Sequence, residues 1–225
     1  MIEFIDVSKY YPTKKGRKFV FKSLNIKLPE NKNIGVLGLN GSGKSTLLRM
    51  IAGTDYPNKG VVSVKGSVSW PLGLSGGTQG SMTGRENAEF VCRIHGDYQK
   101  QINEKLEFIL DFSELGDYFD LPVKSYSSGM RSRLLFGISM AFDFDIYLID
   151  EITAVGDLRF RKKSQEALMK KREKSNFIMV SHNVNDLIKE CDHLLIIDKG
   201  NVSLFHDNKE GLSFYHQALN MNSIK

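Results

Sequence analysis

The sequence predicts an α/β protein built on a mostly parallel sheet, and three observations carry that prediction. Short β-branched, apolar runs alternate with helix-like segments through the last third of the chain. A glycine-rich turn, "GLNGSGKS", joins one such run to an amphipathic segment. A long glycine- and serine-rich stretch followed by helical patterns interrupts the alternation between residues 72 and 140. At 225 residues the chain can bury a full core as one domain.

Taken in order, "IEFIDVSKYY", "FVFKSLNIKL", "NIGVLGL" and "VVSVKGSVSW" have the β-branched and aromatic content of strands, with "PTKKGRK" and "YPNKG" as connecting loops. Between the last two strands, Leu47, Leu48, Ile51 and Ala52 share one face at helical spacing, and Gly53 is a natural stop. "RENAEFVCRIHG" and "QKQINEKLEFILDFSEL" read as helices, the second with a stripe of Ile102, Leu106, Ile109 and Leu110. "SSGMRSRLLFGISMAF" is a helix opened by serine and glycine. The remainder returns to strand and helix in turn: "IYLID", "RFRKKSQEALMKKREKS", "NFIMVSH", "VNDLIKEC", "HLLIIDKG" and "NVSLF". No internal repeat or low-complexity segment interrupts it.

Composition narrows the class. A hydrophobic share of 41% with 25% charged residues is that of a soluble globular protein. No apolar run approaches the roughly 20 residues of a membrane span. "MIEFIDVSKYY" carries acids where a signal peptide is basic, so the chain is expected in the cytoplasm. The formal charge of +5 is dispersed and not interleaved with aromatics, which argues against nucleic acid as partner. Cys92 and Cys191 have no ligand-like spacing and read as reduced, packed thiols without a metal. The basic segment from 161 to 174 reads as a solvated helix face.

Gly38, Leu39, Asn40, Gly41, Ser42, Gly43, Lys44 and Ser45 fit G-x-x-x-x-G-K-[ST], with a strand before and a helix after, and Thr46 follows as a further nucleotide-binding residue. Glycines let successive backbone N–H groups turn toward one anion, and the helix adds the positive end of its dipole. Lys44 then reaches β- and γ-phosphates as a point charge, and Ser45 offers its hydroxyl to Mg²⁺. The pattern predicts a bound nucleoside triphosphate. A lone apolar run ending in acids reads as a polar strand terminus; behind a phosphate loop, Asp150 suits the Mg²⁺-anchoring acid instead. Glu151, on the opposite face of an extended chain, is free to address the attacking water.

These residues, with others in order, resemble the ATP-binding subunit of ABC transporters over nearly the whole chain. Tyr11 sits where that family stacks an aromatic on adenine, with Tyr10 the neighbouring candidate and a core role open to either. "YSSGMRSR" resembles the family signature, in which Ser127, Ser128 and Gly129 cap the γ-phosphate of ATP held by the opposite subunit. "AVGD" matches the dimer-contacting loop with Asp157, and "VSHN" places His182 as the switch histidine. The resemblance implies that His182 contacts the γ-phosphate while Glu151 acts as general base. Gln79 is the candidate for the glutamine that touches Mg²⁺ and water, or else a loop residue facing the membrane partner. Ser128 and Met130 depart from the common signature, and methionine cannot replace glutamine's hydrogen bonding.

The resemblance implies a RecA-like P-loop NTPase core with an antiparallel β lobe, residues 1–71 and 141–225, and an inserted helical subdomain, residues 72–140. "SWPLGLSGGTQGSMTGREN", "YSSGMRSRL" and "DEITAVGD" are most similar to ATPases that export polysaccharide. Exporters of O-antigen and teichoic acid share some of these features, and some carry an extra C-terminal sugar-binding domain. A chain ending at Lys225 leaves no room for one, which favours the capsular branch. A soluble, non-transporting ABC ATPase is the other alternative. The implied assembly is a homodimer closing head to tail on two ATP molecules, docked on an integral-membrane permease of the polysaccharide export machinery. It would lie at the cytoplasmic face of the inner membrane.

Overall fold

The structure is a computed structural model that describes residues 1–72, 78–150, 157–181 and 183–223, with side chains as far as residue 219. Glu151, His182 and the residues from 152 to 156 lie outside the described residues. The chain divides into two compact units. One comprises Met1–Pro71, Phe144–Glu151 and Ser175–Lys225; the other comprises Leu72–Asp143 and Ile152–Lys174.

The first unit holds two sheets. Strands β1 (Ile2–Thr13), β2 (Gly16–Leu28) and β4 (Lys59–Val64) form an antiparallel sheet in the order β2-β1-β4. Strands β3 (Ile34–Gly38), β5 (Ile146–Asp150), β6 (Asn176–Val180), β7 (His193–Asp198) and β8 (Asn201–Phe205) form the second, in the order β5-β6-β3-β7-β8. The pairings from β5 through β7 are parallel, and β8 closes one edge antiparallel to β7. Every residue of β3 and of β5 is buried, as expected of strands covered on both faces. Helix α1 (Lys44–Ile51) packs into this core through Leu47 and Leu48, both fully buried. It stops in a Schellman arrangement: Gly53, at φ 69°, and Thr54 return hydrogen bonds to the carbonyls of Met50 and Arg49.

The segment "PTKKGRK" is mostly strand, where a loop was expected. Pro12 pairs with Arg17 and Thr13 with Gly16, so the hairpin turns at Lys14 and Lys15. Pro12 is tolerated because β4 pairs with β1 only as far as Ser8, which leaves no ladder partner on that side.

The second unit is helical: α2 (Gly84–Ile94), α3 (Gln99–Ser113), α4 (Ser128–Met140) and α5 (Leu158–Arg172). The α3 stripe is buried at Ile102, Leu106 and Ile109, while Leu110 stays half-buried and Phe112 joins the core instead. Helix α5 groups here, extending the helical unit beyond the expected 72–140. Its one buried apolar residue, Phe160, meets Phe112 edge-on at 5.7 Å and Phe136 at 6.4 Å.

Helix α6 (Val184–Glu190) and a C-terminal helix α7 (Asn208–Ser223) complete the first unit. Sequence reading did not find α7, whose apolar face is narrow: Phe214 sits 5.2 Å from Phe205, and Leu212 and Tyr215 are only partly buried. Both cysteines are buried, and burial pushes the Cys92 thiol up to about 11, which keeps it protonated and unreactive. No helix among the described residues is long and apolar enough to cross a membrane.

Leu48 ties the helix behind the glycine-rich turn to the sheet. Leu48→Ala should cost about 2–5 kcal/mol of unfolding free energy, read from urea denaturation. A loss below about 1 kcal/mol would show that this helix is not anchored by core packing.

Candidate nucleotide site

The glycine-rich turn connects the C-terminal end of β3 to α1. Ser42 donates its amide to the Leu39 carbonyl at 3.0 Å, tightening the loop, and Gly43 opens the helix at φ 115°. Only glycine fits there: a Cβ would lie 2.6 Å from Val20 Cγ1 and 2.9 Å from Phe21 Cζ. No side chain caps α1, so its first amides are left for an external acceptor. Lys44 arches back over the loop and donates to the carbonyls of Gly38 (2.7 Å) and Leu39 (3.1 Å). Ser42 Oγ is buried and has no hydrogen-bond partner within the protein. Uncapped amides, one ammonium group and an orphaned hydroxyl fit a polyphosphate. Leu39, Asn40 and Gly41 are exposed at the tip, Ser45 is half-buried and Thr46 buried.

Asp150 ends β5 at 8% exposure. Because β5, β6 and β3 run parallel, Asp150 and the phosphate loop stand at the same edge of the sheet, beyond the carboxyl ends of the strands. Strand β6 intervenes, which sets the axes of β3 and β5 about 10 Å apart. A carboxylate and the Ser45 hydroxyl are hard oxygen donors suited to Mg²⁺. Among the described residues no group of three His, Cys, Asp or Glu forms a metal cluster. A cation here would complete its shell from phosphate and water, as Mg²⁺ does.

The pleat separates the two tyrosines. Tyr10 turns to Phe19, at 5.2 Å between rings, with Arg17 4.7 Å over its face. Tyr11 turns to α1: its hydroxyl donates to Asp55 (2.6 Å), accepts from Arg49 (3.4 Å) and lies 3.4 Å from Thr46 Oγ1. Lys9, 5% exposed, pairs with Asp55 and stands 4.9 Å over the Tyr11 ring. The tether of Lys9, Arg49 and Asp55 was not legible in the sequence, since nothing in "GTDYPNKG" marks Asp55 as more than a turn residue.

Gln79, Ser127, Ser128, Gly129 and Asp157 lie in the helical unit. Ser127 is the N-cap of α4 and accepts from the Met130 amide at 3.2 Å, leaving Ser128 exposed at the helix start. Asp157 caps α5 by accepting from the Phe160 amide at 2.9 Å, and its other oxygen accepts from Arg133 at 2.6 Å. The Phe160 amide, with Arg133 and Arg159 nearby, holds the Asp157 carboxyl below the usual carboxylate range. The structure thus brings Ser127, Ser128, Gly129 and Asp157 together around one hollow of about 500 Å³, with Arg133 as the link. Arg133 was missed by sequence reading; only its i+4 spacing from Gly129 could have placed it on the same face. Gln79 is exposed, and its backbone is gripped at both N–H and C=O by the buried Asn87 side chain (2.7 and 3.1 Å).

Residues 21–154 match the protein family described as ABC transporter. The chain is 51% identical over 220 residues to the polysialic acid transport ATP-binding protein KpsT of Escherichia coli, covering 97% of this chain and 100% of that protein. It is 43% identical over 219 residues to the capsule polysaccharide export ATP-binding protein CtrD of Neisseria meningitidis serogroup B, covering 96% and 99%. The dimeric post-hydrolysis structure of the ATP-binding cassette MJ0796 bound to ADP and Pi shares the fold, with a TM-score of 0.73 at 20% identity over 92% of this chain and 99% of that one.

Asp55 makes the Tyr11 tether sensitive to acid. Burial pushes its carboxyl upward, but hydrogen bonds from Lys9 and Tyr11 and the charges of Lys9 and Arg49 outweigh this and hold it below 3.8. A carboxyl depressed in the folded state stabilises the protein above its unfolded value, and that contribution fades as pH falls through the folded value. Urea midpoints should therefore fall more steeply below about pH 4 for the wild type than for Asp55→Asn. Parallel pH profiles would mean that the ion pair adds nothing.

Proposed function

The chain belongs to the ABC transporter family, and from that premise we propose that it is the ATP-hydrolysing subunit of an exporter that drives a capsular polysaccharide across the inner membrane. The observation that carries this reading is end-to-end identity of 43–51% to proteins named for polysialic acid transport and capsule polysaccharide export.

The uncapped start of α1 receives the phosphates of ATP, and Lys44 exchanges the carbonyls of Gly38 and Leu39 for β- and γ-phosphate oxygens. Ser45, Asp150 and Gln79 would hold Mg²⁺, which would supply positive charge to the phosphate oxygens. Glu151 takes the proton of the attacking water, and His182 donates to the γ-phosphate and orients that water. Tyr11 offers its ring to adenine; the hydroxyl tether to Asp55 supports that assignment over Tyr10 because it turns Tyr11 toward α1.

Ser127, Ser128 and Gly129 present the start of α4 to the γ-phosphate held by a second copy, with Asp157 at the same contact. Two copies therefore close head to tail on two ATP molecules. The loop around Gln79 and the start of α2 dock on a separate membrane-spanning permease, which keeps the subunit at the cytoplasmic face. Met130 cannot supply the hydrogen bonds of a glutamine, so contact with the γ-phosphate falls to Ser127, Ser128 and Gly129 at the helix start.

Two variants separate binding from chemistry. Lys44→Ala should lose saturable Mg·ATP binding with its circular dichroism unchanged. Glu151→Gln should retain binding, shift to a dimer with Mg·ATP, and hydrolyse about 10²–10⁴-fold more slowly in a phosphate-release assay. Polysaccharide reaching the surface at normal levels in cells carrying only Glu151→Gln would contradict the motor role.

A further inference from the structure

Within the helical unit, the Gln79 loop and the start of α4 are joined by a seam that the roles above leave unused. Val123 donates its amide to the Met82 carbonyl at 2.9 Å and Lys124 to that of Gly80 at 2.8 Å, beside an antiparallel bridge between Thr83 and Pro122. One short 3₁₀ turn, Val123–Ser125, separates this seam from Tyr126 and then from Ser127, the N-cap of α4. Tyr126 is 5% exposed. Its hydroxyl donates to the Tyr118 carbonyl at 2.6 Å and lies against Gly84, the first residue of α2.

The seam has little give. A Cβ on Gly84 would fall inside contact distance of the Tyr126 hydroxyl and 3.0 Å from the Phe119 carbonyl oxygen, so the tyrosine occupies the space a side chain would need. Thr83 and Glu86 lock the start of α2 in a reciprocal capping box. Asn87, 2% exposed, spends its side chain on the backbones of Gln79, Met82 and Thr83. A displacement of the 79–83 loop is therefore passed to Gly84 and the 122–124 segment rather than absorbed locally.

We propose that Tyr126 is a positioning residue: its hydroxyl, packed against Gly84, makes the 79–84 loop and the start of α4 move as one. Events at the loop then set whether Ser127, Ser128 and Gly129 are presented to nucleotide, and nucleotide engagement orders the loop in return. This rests on the reading that α4 faces ATP held by a second copy.

The test is amide hydrogen exchange on the full chain in the Glu151→Gln background, with and without Mg·ATP, comparing Tyr126 with Tyr126→Phe. In the parent, pairing should slow exchange about fivefold or more both at 128–131 and at 79–84. In Tyr126→Phe, protection at 128–131 should persist and protection at 79–84 should be lost. Equal protection of 79–84 in both chains overturns the proposal, as does a parent protected only at 128–131. A parent that neither binds Mg·ATP nor pairs fails earlier, at the reading beneath. Gly84→Ala provides a second arm: it should lower the thermal midpoint, and Tyr126→Phe should restore part of the loss. An equal loss in both backgrounds would show that the hydroxyl does not fill that space.

Discussion

The convergence of backbone amides at the turn between β3 and α1 is the constraint on which the rest of the structure depends. It requires a residue at φ 115° at position 43 and no Cβ there, because Val20 and Phe21 already occupy that space. It also requires a helix start that no side chain caps and a lysine able to reach over the loop. Anchoring follows from this demand. Leu47 and Leu48 sink α1 into the core, and the buried β3 strand sits between β6 and β7, so the amides face a fixed point. The parallel order of β5, β6 and β3 then brings Asp150 to the same edge. Sheet topology and phosphate chemistry are one design: the strands must run the same way for the acid and the loop to meet.

The helical unit is built on a different principle. Its core stacks Phe112 on Phe136 with Phe160 edge-on, and the exposed Phe108 continues the stack toward the surface. Its exposed functional backbone lies at helix starts: Thr83 before α2, Ser127 before α4 and Asp157 before α5. Each start is satisfied by its own side-chain cap, so these ends are already ordered before any partner arrives. Arg133 adds a second constraint by gripping Asp157 from α4, which makes the caps of α4 and α5 a single feature.

Much of this was legible in the residues. The strand–helix alternation, the α1 stripe and the loop from Gly38 to Ser45 depend on local spacing, and local spacing is what a sequence displays. The parallel sheet followed from the alternation, and the antiparallel lobe came with the family resemblance. Contacts between residues distant in the chain were not legible. Asp55 reaches Lys9 and Tyr11 across more than forty residues, and Arg133 reaches Asp157 across twenty-four. The "PTKKGRK" hairpin was read as a loop because its polar residues hide a ladder that only pairing with β1 reveals. Helix α7 was missed because few of its residues are buried. Asn87 carries no sequence signal that sets it apart from its polar neighbours, yet its burial makes it the clamp for Gln79.

The central physical claim is that one loop, one lysine and one helix end grip the phosphates of ATP. Calorimetric titration of Mg·ATP into the purified wild-type chain addresses it directly. Saturable binding with one ATP per chain, competed by Mg·ADP, is the predicted result; heats of dilution alone, from a protein shown to be folded, would contradict it.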